Sequence, residues 1–309
     1  MPAHLLAGVD VGGTKIAVGL AGASGRVIAS RRAATTRDGG DAVVGQIASL
    51  LRDVMHDGSA SPGEVQCVGV AAPAVLDQAR GRVLWAPNIV GWQSQVDVGR
   101  PLAEALGAPV SLHYDGHAWV AGEWWCGAAR GARDVALIAV GTGIGGGLVL
   151  DGRLHRGRVG VAGAVGWWVA DWREVAAKRR ESDGWLESSA SGPAIARAAG
   201  RASAEDAFRA ARDGDSAARA AVQRAAEVLG VAAANIASLV DPEIIVFAGG
   251  VFAGGADLLL PRIREIASRE AQPQVAPGLR IVTAELGEDA AWLGAARLAQ
   301  LQRQQEGRP

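Results

Sequence analysis

The stretch LLAGVDVGGTKIAVGL, residues 5–20, decides the fold. Leu5 to Val11 and Ile16 to Leu20 are rich enough in apolar and β-branched residues to form strands, and only a short glycine turn separates them. A third β-rich run, Val27 to Ala34, follows after AGASGR. Links this short join antiparallel neighbours, because a parallel crossover takes about a dozen residues or more. Asp10 closes the first strand, and Gly12, Gly13, Thr14 and Lys15 make the turn. Two glycines let the backbone approach a ligand with no Cβ in the way. Consecutive N–H groups there form a concavity suited to phosphate, to which Thr14 and Lys15 add a hydroxyl and a cation. The Asp10 carboxylate beside such phosphates suits Mg²⁺, held through water. A plain hairpin turn with an incidental aspartate draws on the same residue types.

Outward from this hairpin, Asp41 to Met55 repeats apolar residues at a helical period, and Val65 to Ala71 returns as a strand. The section APAVLDQARGRVLWAPNIVGW is too broken for long elements and reads as loops able to carry function. Leu102 to Leu106 is a short helix. Pro109 to Leu112 is a strand running into Tyr114, Asp115 and Gly116, and a helix continues through Trp125. The pattern then starts again: Asp134 to Val140 and Leu148 to Leu150 are strands joined by GTGIGGG, and DGRL makes a further hairpin. Beyond about residue 190 the chain is Ala-rich. A helix over Asp215 to Leu239 precedes a buried strand at Ile244 to Ala248, a helix near Leu258 to Ala271, a strand at Leu279 to Ala284 and a last helix from Asp289. This twofold rhythm of three strands and then helices predicts an α/β protein of two similar lobes with a cleft between them. The expected lobes are residues 1–113 with 290–309, and residues 114–289.

Two further glycine motifs bear on function. Gly141, Thr142, Gly143 and Ile144 open a run that formally contains GxGxxG at Gly141, Gly143 and Gly146. A dinucleotide fingerprint needs a helix directly after the glycines, whereas Leu148 to Leu150 continue as a strand, so that reading fails on context. A P-loop is excluded because GxxxxGK[ST] is absent. A second phosphate-holding hairpin remains, beside a plain glycine turn. In FAGGV, Gly249 and Gly250 end a buried strand ahead of a helix, where a flat adenine or ribose is able to lie; a tight strand-to-helix turn reads the same way.

Composition narrows the class. The chain has 309 residues, 49% of them hydrophobic and 20% charged, which excludes disordered, collagen-like and coiled-coil architectures. At about 150 residues per domain, two domains are expected. Thirty-one Lys and Arg against 32 Asp and Glu argue against a nucleic-acid or anionic-membrane partner acting through bulk charge. MPAHLLAGVD lacks a basic leader, and its apolar run stops at Asp10, so a cytoplasmic protein is expected. Cys67 and Cys126 stand apart with no CxxC pairing and fit reduced thiols.

DVGGTK, GTGIGGG and AGG, in that order, resemble the two phosphate motifs and the adenosine motif of the actin-like (ribonuclease H-like) ATPase and sugar-kinase fold. Together with APNIVGW, DGRLHRG, GWLESSASG and LVDPEIIVFAGGV, they make the chain similar to the ROK family over roughly residues 5 to 300. The resemblance implies an ATP-dependent sugar kinase that moves the γ-phosphate to the primary hydroxyl of a hexose, glucose by default. Its repressor members carry an N-terminal helix-turn-helix, whereas this chain reaches DVGGTK at residue 10, which favours an enzyme. The resemblance gives the catalytic role to Asp115, in Tyr114-Asp115-Gly116 where the family usually reads Asn-Asp-Ala, although a simple helix N-cap is also aspartate's habit. It assigns the sugar to Asn88, Asp115 and Glu187. ATP and Mg²⁺ go to Asp10, Gly12, Gly13, Thr14, Lys15, Gly141, Thr142, Gly143, Ile144, Gly249 and Gly250. It also implies a homodimer and a lobe closure that excludes water.

The chain departs from the family at one place. Gly163-Ala164-Val165-Gly166-Trp167 stands where many members read Gly-Glu-x-Gly-His, and KRRESDGWLES replaces a cysteine cluster. The implied zinc therefore lacks its ligands, since a structural site takes four N or S donors. Trp167, Trp168, Trp172 and Trp185 gather there, so aromatic packing is expected to replace the metal. The altered sugar edge leaves an amino sugar or N-acetylhexosamine open as substrate, and from another class a non-catalytic carbohydrate sensor.

Overall fold

The computed structural model describes residues 5–174 and 184–306. They form two compact units. The first comprises Met1–Arg130, Arg156–Val161 and Glu288–Pro309, the second Gly131–His155 and Ala162–Gly287.

In the first unit, β1 (Leu5–Val11), β2 (Lys15–Gly22), β3 (Val27–Ala34), β4 (Val65–Ala72) and, after a small sheet, the strand Val110–Tyr114 make one five-stranded sheet. The small sheet joins β5 (Val75–Asp77), β6 (Arg82–Trp85) and β7 (Val96–Asp97), so Val110–Tyr114 is β8. The large sheet runs β3-β2-β1-β4-β8, with β1 antiparallel to β2 and parallel to β4, and β4 parallel to β8. Helix α1 (Gly40–Asp57) lays Val43, Ile47, Leu51 and Val54 on Val9, Ile16, Val18 and Leu20. Each such side chain, fully buried, contributes about 1.5–3 kcal/mol. Helix α2 (Gly99–Leu106) closes the same core, and α3 (Asp115–Cys126) packs on the C-terminal helix Ala290–Glu306.

That last packing explains where the units divide. A boundary before Tyr114 is what the sequence suggests, but α3 lies so close to the C-terminal helix that a Cβ on Gly294 would stand 1.7 Å from the Ala118 carbonyl oxygen. Residues 114–130 accordingly belong to the first unit.

In the second unit, β9 (Val135–Val140), β10 (Ile144–Leu150), β11 (Arg153–Leu154), β12 (Ile244–Ala248) and β13 (Arg280–Thr283) run β11-β10-β9-β12-β13. The pairing directions repeat those of the first sheet: β9 is antiparallel to β10 and parallel to β12, which is parallel to β13. The fold is thus α/β with two actin-like sheets of one topology. Helices α4 (Trp185–Ala190), α5 (Gly192–Ala198), α6 (Ala204–Arg212), α7 (Ser216–Val240) and α8 (Gly250–Glu270) cover this sheet. Asp215 caps α7 by accepting the Ala218 amide, which fixes its start where the sequence places it.

Two elements differ from expectation. Strand β10 begins at Ile144, because Gly145, Gly146 and Gly147 pair with Ala139, Ile138 and Leu137 while the backbone of Gly163 lies against them. The GTGIGGG turn therefore shrinks to Gly141, Thr142 and Gly143. Helix α8 begins at Gly250, earlier than Leu258, since packing of Gly255 on the Phe208 ring overrides the low helix propensity of the glycines there.

Candidate active site

Each unit presents a glycine turn at the end of its central strand, and the two are held differently. In the first, Val11 pairs with Ile16, and the Gly12 amide donates to the Lys15 carbonyl. The Thr35 hydroxyl donates to the Gly12 carbonyl at 2.7 Å. A Cβ on Gly13 would stand 2.0 Å from the Asn88 carbonyl oxygen, so this position admits only glycine and brings the turn against the APN segment. The amides of Gly13 and Thr14 carry no hydrogen bond among the described residues and are available to an anion. Asn88 keeps its side chain exposed on a loop sealed from below by buried Ala86, Ile89 and Trp92, whose indole donates to the Gly40 carbonyl.

Strands β1, β4 and β8 are parallel, so their carboxyl ends share one edge, the edge at which α/β folds bind ligands. Asp10 stands in register with Ala71, and Ala71 with His113. At about 4.8 Å per strand, Asp10 and His113 stand roughly 10 Å apart, and Asp115 follows two residues on at the start of α3. Burial, joined by the negative charge of Asp115, pushes the Asp10 carboxyl up to about 7, against the pull of Lys15; Glu288 adds to the rise. Asp115 heads α3, with Oδ1 accepting the Gly116 amide at 2.7 Å. Behind it His113 is fully buried, its Nε2 2.8 Å from the Ser111 hydroxyl and its Nδ1 without a partner among the described residues. Burial, with Arg156 and His117 nearby, pushes His113 down to about 3, so it stays neutral.

Lys15 is engaged: its ammonium pairs with Glu288 at 2.5 Å, and Arg32 bridges Glu288 and Asp289. Nothing in the sequence points to Glu288, which stands 273 positions from its partner. Nor is Thr35 legible there as the anchor of the Gly12 carbonyl.

In the second unit, the Gly141 amide donates to the Gly143 carbonyl, and the Gly141 carbonyl accepts the Gly192 amide at 2.8 Å. The Ile144 amide donates to Glu187 Oε2 at 2.7 Å. This leaves the amides of Thr142 and Gly143, and the exposed Thr142 hydroxyl, for an anion. Gly249, at φ 90°, caps α8, and a Cβ there would stand 2.3 Å from the Val140 carbonyl oxygen, so the AGG turn sits at the root of the same hairpin. Gly250 is exposed at the first turn of α8, where the helix dipole is positive.

Of the four tryptophans, Trp185 is buried with its indole donating to Glu174 Oε2 at 2.8 Å, and Trp168 packs on the same core. Trp167 is 59% exposed and takes no part in that packing, because the 3-10 turn Val165–Trp167 turns it outward while Val165 and Gly166 are buried. Residues 175–183, which include the KRRESD segment, lie outside the described residues. Among the described residues no cluster of His, Cys, Asp and Glu is suited to a metal, and no helix is long and apolar enough to cross a membrane.

A carboxylate at a strand end, its proton affinity raised by burial and by a second acid, is a fit place for a divalent cation. Asp10 is the residue that would hold it, and the ion would supply neutralisation of phosphate charge.

The chain is 33% identical to a glucokinase of Thermotoga maritima, with 96% of this chain and 98% of that protein aligned. It is 37% identical to the bifunctional enzyme NanE/NanK of Brucella melitensis, over 96% of this chain and 54% of that one. Among solved structures it resembles the ROK family glucokinase of Streptomyces griseus in complex with glucose and AMPPNP, with a TM-score of 0.82, 31% identity, and 96% and 99% of the two chains covered. The ROK family model matches residues 6–302, and the chain belongs to the ROK family.

Proposed function

We propose that this chain is an ATP-dependent hexose kinase that transfers the γ-phosphate of ATP to the primary hydroxyl of a sugar, with glucose the first candidate. The observation that carries the reading is the pair of acids, Asp10 and Asp115, at the carboxyl ends of parallel strands β1 and β8, next to a turn with two available amides. Phosphoryl transfer asks for little covalent chemistry from the protein. It needs in-line positioning, neutralisation of phosphate charge and a carboxylate to take the hydroxyl proton. Asp115 takes that proton. Asn88, Asp115 and Glu187 are the proposed sugar ligands. Asp10, Gly12, Gly13, Thr14, Lys15, Gly141, Thr142, Gly143, Ile144, Gly249 and Gly250 form the proposed nucleotide set. Within that set Ile144 has a different part, since its amide is already taken by Glu187. Bound Mg²⁺ supplies charge neutralisation on the phosphates, and Asp10 is the residue that would hold it. Cytoplasmic residence, expected from the amino-acid sequence, and a homodimer, implied by the family resemblance, complete the proposal.

A coupled assay of ATP consumption over a panel of hexoses, amino sugars and N-acetylhexosamines tests it. Sugar-dependent turnover on at least one member is expected. Sugar binding seen by calorimetry, with no phosphorylation by any nucleoside triphosphate, would favour a carbohydrate sensor instead.

A further inference from the structure

Glu187 stands where the resemblance gives a sugar ligand, yet it also holds the backbone of the second glycine turn. Its Oε2 accepts the Ile144 amide at 2.7 Å. That same oxygen fills the place a side chain at position 143 would need: a Cβ on Gly143 would stand 2.6 Å from it. Five residues further on, at the start of α5, the Gly192 amide donates to the Gly141 carbonyl at 2.8 Å. The α4–α5 joint thus grips the turn at both ends, the carbonyl before it and the amide after it. Trp185 and Leu186, buried in the core of the second unit, anchor α4 rigidly beneath this grip. A carboxylate near a phosphate site carries an electrostatic cost, and a neutral acceptor would avoid it. Its presence therefore calls for a gain, and a charge-assisted hydrogen bond to a backbone amide is roughly twice as strong as a neutral one.

We propose that Glu187 is a positioning residue for the nucleotide: by holding the Ile144 amide it sets the turn so that Thr142 and Gly143 present their amides to the phosphates. This rests on the reading of Gly141–Ile144 as a nucleotide turn. It assigns Glu187 a part in nucleotide affinity that exists with no sugar present, which a pure sugar ligand would not have.

The test is titration of ADP with Mg²⁺, by calorimetry and in the absence of any sugar, into the wild-type chain and into Glu187→Ala, Glu187→Asp and Glu187→Gln. Aspartate is one methylene too short to reach Ile144, and glutamine keeps an acceptor oxygen. Alanine and aspartate are expected to weaken ADP about tenfold, the size of one hydrogen bond to a charged group. Glutamine keeps the acceptor oxygen, weakens the hydrogen bond and removes the repulsion of phosphate, so these changes offset and its affinity is expected to stay within about threefold of wild type. Thermal unfolding of each variant separates this from loss of fold, and if the alanine variant does not fold, aspartate against glutamine decides alone. ADP binding by the aspartate variant as tight as wild type, or glutamine as weak as aspartate, would overturn the proposal while leaving the kinase reading intact. Failure of the wild-type chain to bind ADP would instead overturn the nucleotide reading itself, and this proposal with it.

Discussion

The two sheets share a strand order and every pairing direction, yet their first hairpins are built by different means. The turn between β1 and β2 carries its own charges. Asp10 and Lys15 flank it, and its backbone is braced by a neutral hydroxyl from Thr35 and by the Asn88 main chain. The turn between β9 and β10, GTGI, carries no charge of its own and takes one from Glu187, 43 residues away. One topology thus yields two kinds of proposed anion site: a charged one, at the edge where Asp115 also lies, and a neutral amide turn fixed from outside. The difference teaches that the fold supplies the amides, while the acids that would do chemistry sit in the first unit.

The largest expected effect comes from removing that asymmetry at Asp115. Asp115→Asn keeps size and helix position but cannot accept a proton, and general-base removal costs about 10²–10⁴-fold in rate. The sugar-dependent kcat should fall by that much, with ADP affinity unchanged. Wild-type turnover in the variant would move the chemistry elsewhere.

Asp10 comes next, and here stability and activity part company. With its carboxyl raised from 3.8 to about 7, the folded chain binds the proton more tightly than the unfolded one. The contribution is favourable in full below pH 3.8 and is lost as pH rises through about 7. In chelator at pH 8, Asp10→Asn should therefore raise the unfolding free energy, by on the order of a few kcal/mol. It should also remove that part of the loss between pH 5 and pH 8. The same substitution should abolish most activity, since the charge it removes is the one proposed to hold Mg²⁺. Wild-type kcat/KM should fall as pH drops through about 7, not through the ordinary aspartate range. Denaturant titration at the two pH values checks the first expectation, and an unstabilised variant would refute it.

Much of the architecture is legible in the amino-acid sequence. Short glycine links force antiparallel hairpins, and their recurrence at residue 134 forces two related sheets. The strands Leu5–Val11, Val27–Ala34 and Ile244–Ala248 have the bounds read from their apolar runs. What escapes is whatever depends on contacts distant in sequence. Gly145 to Gly147 read as a loop because glycine disfavours strands, and only the ladder to Leu137–Ala139 makes them one. The true start of α8 is hidden by its glycines, whose cost is offset by packing on Phe208. At the site, the first glycine turn points to Asp10, and the family resemblance to Asn88 and Asp115. They give no sign that Lys15 is paired with Glu288, or that Glu187 bonds to a backbone amide.

Matched glycine substitutions would separate the two turns by what stands in the way of a side chain. At Gly13 the obstacle is a main-chain carbonyl, 2.0 Å from where a Cβ would stand. At Gly143 it is the end of a side chain, the Glu187 carboxylate at 2.6 Å. A backbone cannot step aside as a carboxylate can. Gly13→Ala should therefore cost about 1–3 kcal/mol of stability, or the equivalent loss of ATP affinity, in the range of overpacked cores. Gly143→Ala should cost less than half of that in thermal unfolding, while weakening ADP binding as Glu187 is displaced. Equal melting temperatures for the two variants would show that the first turn is as yielding as the second.

The smallest effect is expected where the charged turn looks strongest. Lys15 and Glu288 approach to 2.5 Å, but their side chains are 45% and 62% exposed, and exposed pairs are worth roughly 0–1 kcal/mol because solvent screens them and ordering both chains costs entropy. A double-mutant cycle with Lys15→Ala and Glu288→Ala should give a coupling below about 1 kcal/mol that fades in high salt. The pair contributes little to the fold, so its ammonium is held near Asp10 by an interaction weak enough for an incoming phosphate to replace. A coupling of several kcal/mol would mean that Lys15 is locked to Glu288, and the first turn would then have to bind anions through the amides of Gly13 and Thr14 alone, as the second does through Thr142 and Gly143.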